Sequence, residues 1–169
     1  KDLSDKVKTV PSHKNLSPYL IPRKMLYMPR VNKNFKFYTI VSDMRALQKV
    51  ISCFHAEFGV EEPVSLVVQG KPGVDQNKEI ENTCVQAKTQ LHLMSPQEYK
   101  KDIIISKPDV TQDNLYELHN YCDAYVSTNV ELGFPYHEID ASGFGNIVIA
   151  AEHSAVNDEV YTKPVKSTF

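Results

Sequence analysis

From residue 35 to residue 150 the chain alternates short apolar runs with longer amphipathic stretches. Five runs rich in Val, Ile and aromatic residues, 35–41, 64–69, 103–106, 124–127 and 147–150, have the length and composition of strands buried on both faces. Between them lie segments with helical periodicity. "MRALQKVISCFHAEF" puts Leu47, Val50, Ile51, Phe54 and Phe58 on one face, with Lys49, His55 and Glu57 largely on the wet side. "DQNKEIENTCVQAKTQL" is a second, more polar helix, and "TQDNLYELHNYC" a third that Thr111 or Asp113 can cap. Two further short helices are expected after Pro135 and after Ser154. The resulting β-α alternation predicts an α/β fold, a Rossmann-like parallel sheet flanked by helices. Ligands of such sheets bind beyond the carboxyl ends of the strands, where loops enter helix N-termini.

Residues 1–34 follow a different pattern. Prolines at 11, 18, 22 and 29 and many Lys and Arg residues interrupt any sustained period, so this part reads as a lead-in or linker segment with one short strand near 24–27. The organisation expected is thus a lead-in over 1–34 and one domain over 35–169. At 169 residues the chain is long enough for one well-buried domain and short for two. With 41% hydrophobic and 24% charged residues it is an ordinary globular composition, which excludes bulk disorder. A net charge of −2 supplies no global field for a nucleic acid or an anionic membrane. No apolar run is long enough to span a bilayer. Cys53, Cys84 and Cys122 lie far apart, a distribution that fits reduced thiols, a cytoplasmic setting and no zinc site.

The candidate chemistry concentrates in "STNVELGFPYHEIDASGFGNIVIA", 127–150. Here the fourth strand ends, Gly133-Phe134-Pro135 turns the chain, and a helix begins near Pro135 and runs to about Ser142. Glycine permits close approach of a ligand, proline suits the first helical turn, and the exposed N–H groups favour an anion such as phosphate. Glu138, one turn into the helix, can reach back toward the same crevice, where carboxylates accept ribose hydroxyls; as a surface residue it would simply complement the helix dipole. His119 and His137 have no metal-ligand spacing with Cys, Asp or each other, and are expected on helix faces or at the surface. Cys122 reads as a buried small residue rather than a nucleophile.

The segment "LHNYCDAYVSTNVELGFPYHEIDASGFGNIVIAAEHSAVNDEV" resembles the donor-binding half of family 4 glycosyltransferases of the GT-B fold. The family pattern has an Asp after a short helix, a strand ending in a Pro-Ser-like pair, an E-x7-E motif of the form E-G-F-G-L-P-x-x-E-A, and a Gly before the next apolar strand. Asp123, Ser127-Thr128, Gly133, Pro135, Glu138-Ile139 and Gly143 or Gly145 match it. Upstream, "FYTIVSDMRALQKVISCFHAEF" is similar to the family's first strand and helix, with Arg45 nine positions before Phe54, and "VSLVVQGKPG" to its next strand and turn. The resemblance covers about residues 35–160.

It implies a nucleotide-sugar donor, no cofactor and no metal. Glu138 would bind the ribose, Glu131 would lie near the donor sugar as the catalytic carboxylate, Gly133 and Phe134 would supply turn N–H groups, and Arg45 would neutralise the diphosphate. The acceptor, unidentified, would be bound by an N-terminal GT-B domain in the same or another chain, so this chain alone is expected to bind donor and transfer little. Three positions depart from the pattern. Glu131 and Glu138 are seven apart, which shortens the motif by one residue; Asp140 replaces an apolar helix residue; and Val41-Ser42 stands where a Gly-Arg pair commonly ends the first strand. The shortened turn is what favours the rival expectation, a non-catalytic binding or assembly module that keeps the fold.

Overall fold

The structure is a computed structural model that describes residues 17–23, 34–95, 98, 110–129 and 134–151, with the backbone of strands 103–105 and 163–165. Strands β1 (Phe35–Ile40), β2 (Val64–Gln69), β3 (Ile103–Ile105), β4 (Ala124–Val126), β5 (Ile147–Ala151) and β6 (Lys163–Val165) form one sheet in the order β3-β2-β1-β4-β5-β6. Every neighbouring pair is parallel. Helices α2 (Met44–Glu57), α3 (Asn77–Gln90), α4 (Gln112–Tyr121) and α5 (Tyr136–Gly143) connect the strands. The Rossmann-like α/β fold expected from the apolar runs is therefore the observed one, and five of the six strands fall within one residue of the expected bounds.

The sheet is buried on both faces. On one side Val41, Leu66 and Val68 pack with Leu47, Ile51 and Phe54 of α2 and Ile80, Cys84 and Ala87 of α3. On the other, Tyr38, Ile40, Val67, Tyr125, Val148 and Ala150 pack with Leu115 and Leu118 of α4 and Ala141 of α5. Burial on both faces is why these strands read as continuous apolar runs rather than as alternating ones. Local signals set the helix ends. Asp43 caps α2 by accepting from the Ala46 N–H at 2.7 Å. Of the two caps open at α4, Thr111 is the one used, in a reciprocal box with Asn114. Past the end of α5, Gly145 takes a φ of 86°, a left-handed turn suited to glycine, and the Asn146 N–H returns to the Ala141 carbonyl.

Two elements were not expected from the sequence. A short helix, α1 (Ser17–Leu20), lies within the lead-in segment. Its Tyr19 packs edge-on against Phe144 and donates its hydroxyl to Asp140 Oδ1 at 2.9 Å. A Cβ on Gly143 would come within 2.7 Å of that ring, so the last residue of α5 must be small for α1 to sit there. Nearby, Arg23 pairs with Asp113 at 2.9 Å and lies over the Tyr116 ring. Strand β6 contains Pro164 and pairs with β5 at the sheet edge, where a proline is tolerated because one side needs no partner. The expected strand near 24–27 and the helix after Ser154 lie outside the described residues.

His55 corrects an expectation. It is buried rather than on the wet face of α2, because that flank of the helix meets α3. Burial, and after it the charge of Lys88, lower its imidazole from 6.5 to about 4. A base whose pKa falls on folding adds stability above its unfolded value and loses it as pH drops through the folded one. Folding stability is accordingly expected to fall between pH 6.5 and about 4. Urea melts across that range should show a smaller drop for His55→Leu; an unchanged pH slope would remove His55 as the cause.

Candidate functional site: the crevice between β1 and β4

Strand order places β4 beside β1, and the chain leaves these two strands toward opposite faces, into α2 and α5. This is the topological switch point of the sheet, where the loops diverge and open a crevice. Polar side chains close its floor. Thr128, buried just past β4, donates its hydroxyl to the Ile40 carbonyl at 3.0 Å and accepts the Ser42 N–H at 3.0 Å. Ser42 Oγ lies 3.1 Å from the same oxygen. Since Thr128 has already spent its one proton on Ile40, Ser42 is the donor in that pair. The loops after β1 and β4 are thus tied through one hydroxyl. At the opposite end of these strands Asp123 accepts the Lys36 N–H at 2.7 Å and pairs with Lys36 Nζ at 3.1 Å.

Glu138 is the carboxylate of the crevice. It is 2% exposed, stands in the first turn of α5, and accepts the Ser127 hydroxyl on Oε1. Ser127 Oγ in turn accepts the Asn129 N–H at 3.1 Å. Burying a carboxylate costs several kcal/mol unless it is hydrogen-bonded, and the helix N-terminus offsets part of that. Glu138 is therefore held in place by construction and is no surface residue completing a dipole. The fully buried Tyr125 senses it. Burial first, then the Glu138 charge, push the Tyr125 hydroxyl well above its usual range, with the Ile40 backbone opposing.

The other expected site residues fare differently. Arg45 is exposed on the first turn of α2, one helix turn from Ser42, on the loop that Thr128 ties to β4. Phe134 is half-buried and packs against Tyr136 with ring centroids 4.6 Å apart. Glu131 and Gly133 lie outside the described residues. Sequence reasoning missed Ser42 and gave Ser127-Thr128 only a strand-end role; the contacts of Thr128 with Ser42 and Ile40 span 86 and 88 residues, and that of Ser127 with Glu138 spans 11.

Beside the crevice a cavity of about 460 Å³ runs between α2 and the sheet. Val50, Cys53, Phe54 and Phe58 line one wall, Val126 and Ile149 the other, and Ser127, Thr128 and Asn129 one end. Lys49 also lines it. Its walls are mainly apolar, so the polar end alone suits a phosphate-bearing ligand. Cys122 is buried with its thiol pushed up to about 12 by that burial, which keeps it protonated and agrees with a packing role.

A second group of side chains lies on the other side of α5. His119 of α4 and His137 and Asp140 of α5 bring possible ligand atoms within 4.8 Å of one another. His119 is fully buried, contrary to the surface position open to it in the sequence, because Phe144 stacks on its ring at 5.9 Å and Tyr38 holds Nδ1 at 2.6 Å.

No protein-family model matches the sequence, and no curated protein matches it. Solved structures do. The C-terminal domain of the glycosyl transferase group 1 family protein LpcC from Francisella tularensis is similar at 16% identity and a TM-score of 0.56, over 93% of this chain and 77% of that one. HepE of Anabaena, solved in complex with UDP and glucose, is similar at 16% identity and 0.54, over 78% of this chain and 33% of that one. The trehalose-6-phosphate synthase OtsA is similar at 8% identity and 0.58, over 84% and 35%. The chain thus has the Rossmann-like fold of a GT-B glycosyltransferase domain, and it spans about a third of the length of HepE and of OtsA. Among the described residues no helix is long and apolar enough to cross a membrane.

The Thr128 tie can be tested without a ligand. Thr128→Val keeps the shape but leaves the Ile40 carbonyl and Ser42 N–H without this partner, at an expected cost of about 1–3 kcal/mol. Thr128→Ser should recover most of the loss in urea melts. If the valine variant is as stable as the parent, the tie contributes nothing.

Proposed function

We propose that the chain is the donor-binding domain of a retaining GT-B glycosyltransferase and holds a nucleoside diphosphate sugar in the crevice between β1 and β4. The observation that carries this reading is Glu138, a buried carboxylate fixed by Ser127 at the switch point of a parallel sheet. Its Oε1 takes the Ser127 hydroxyl, and Oε2 is the oxygen a ribose hydroxyl would meet. Arg45 neutralises the diphosphate, and the N–H groups of Gly133 and Phe134 contact it at the turn. Transfer of the sugar leaves a diphosphate with growing negative charge, which a guanidinium and backbone donors stabilise without a metal. Glu131 is the carboxylate beside the sugar. A domain beyond these residues, in the same or another chain, would bind the acceptor. The three similar structures support the reading through their fold, and UDP in HepE makes UDP the first ligand to try.

The second reading, a binding or assembly module without catalysis, draws on the spacing of Glu131 and Glu138, seven rather than eight residues. One missing residue displaces Glu131 by up to about 3.5 Å along the chain, enough to break a sugar contact. Under the first reading diphosphate binding survives this shift and the sugar adds little affinity.

Calorimetric titration with UDP, GDP and ADP separates the two. Saturable binding of one of them is expected, and Glu138→Gln should weaken it by about 1.5–3 kcal/mol, the range for hydrogen bonds to a charged group. Arg45→Ala should reduce affinity for the diphosphate far more than for the bare nucleoside. A folded protein that binds none of the three would leave the module reading; equal losses for nucleoside and diphosphate would make Arg45 structural.

A further inference from the structure

We propose that His119, His137 and Asp140 form a binding site for a divalent first-row transition metal ion of the zinc class, placed between α4 and α5 beneath the lead-in helix α1. Asp140 is the central residue of this group. Where the glycosyltransferase pattern has an apolar residue, this chain places a carboxylate that is 2% exposed in the packing between helices. Tyr19 donates to Oδ1 from α1, and a carboxylate buried between helices is further stabilised by a nearby cation. The two residues that bring nitrogen to it come from different directions. His137 precedes Asp140 by three positions on α5, so both project from one face of that helix. His119 arrives from the last turn of α4.

The His119 ring is oriented as a ligand requires. Nδ1 is engaged by the Tyr38 hydroxyl at 2.6 Å, and that hydroxyl receives Asn146 Nδ2 at 2.6 Å. Asn146 also donates to the His119 carbonyl at 2.8 Å, and Phe144 stacks on the ring. With Nδ1 engaged by Tyr38, Nε2 is the nitrogen through which His119 would ligate. A metal-bound imidazole donates its other ring N–H to an acceptor, so in the metal-bound form Nδ1–H would donate to the Tyr38 oxygen. Two imidazole nitrogens and a carboxylate oxygen suit zinc or its neighbours rather than calcium or magnesium, and three protein ligands leave a position for water. The ligand atoms lie within 4.8 Å of one another. Metal bonds of about 2.0–2.2 Å place ligands roughly 3.3–3.6 Å apart, so closure needs an inward shift on the order of 1 Å.

The site is separate from the donor crevice, because Glu138 points from α5 to Ser127 while His137 and Asp140 face α4 and α1. A bound ion would cross-link α4 to α5, and through Asp140 and Tyr19 it would favour the docking of α1. The competing arrangement is a hydrogen-bonded set in which Tyr38 donates to His119 Nδ1 and a protonated nitrogen faces Asp140.

The test uses the full chain, stripped of metal by chelator, in a Cys53→Ser background so that the exposed thiol takes no part. Cobalt(II) is titrated while the visible d–d absorption is followed, and zinc is then added in competition. The expected result is saturation at a single equivalent with the strong bands of a four-coordinate ion, bleached by zinc. Zinc at a hundredfold excess over its Kd should raise Tm by about 5–10 °C. His137→Gln and the isosteric Asp140→Asn, checked for folding by circular dichroism, should each abolish the bands and the shift, whereas Tyr19→Phe should retain the bands. Absence of saturable binding by the folded parent, or binding that survives His137→Gln, overturns the proposal. Neither outcome bears on the donor crevice, which is read by nucleotide titration.

Discussion

Strand β4 pairs with β1, not with β3, which precedes it in sequence. Phe37 faces Ala124 and Tyr38 faces Tyr125 across this pairing. Asp123 fixes one end through the Lys36 backbone and ammonium, and Thr128 fixes the other through Ile40 and Ser42. That pairing sets side by side, in the middle of the sheet, two strands whose chains leave toward opposite faces. The crevice follows from that divergence, and Glu138 gains its position from it, since α5 starts where the chain has left β4.

Helix α5 then divides its side chains between two tasks. Glu138 reaches back to Ser127 at the crevice, and Ala141 packs on the sheet. His137 and Asp140 turn toward α4 and the lead-in helix. Helical geometry sets this division, because residues three apart share a face while neighbours do not. A carboxylate at 138 and another at 140 therefore serve different surroundings although they are close in sequence. The Gly145 turn that ends α5 delivers Asn146 to both Tyr38 and His119, so the polar group behind α5 is fixed by the same turn that leads into β5.

Much of this was legible from residue pattern. Strands buried on both faces leave unbroken runs such as "VSLVVQ", and the apolar stripe of α2 left no ambiguity of period. The Glu138 position could be read from the glycine-proline turn before it. What escaped depends on contacts between distant segments. His55 looks solvent-facing when α2 is considered alone and is covered once α3 packs beside it. The tie of Thr128 to Ser42 joins residues 86 apart and has no local signature. His119 meets Asp140 only after α4 and α5 pack together, and four-residue α1 is too short to show a period. Strand β6 combines Lys, Pro and Val, a composition that argues against a strand except at an edge.

The central claim is that the crevice at the β1–β4 switch point is where a nucleoside diphosphate binds. Amide chemical-shift mapping of the isotopically labelled chain with UDP tests it most directly. The account predicts saturable shifts concentrated at Ser42 to Ala46, at Ser127 to Asn129 and at Phe134 to Ile139, with α3 and β2 unaffected. Shifts confined to the apolar wall of Val50, Cys53 and Phe58, or none at saturating UDP, GDP and ADP, would contradict it.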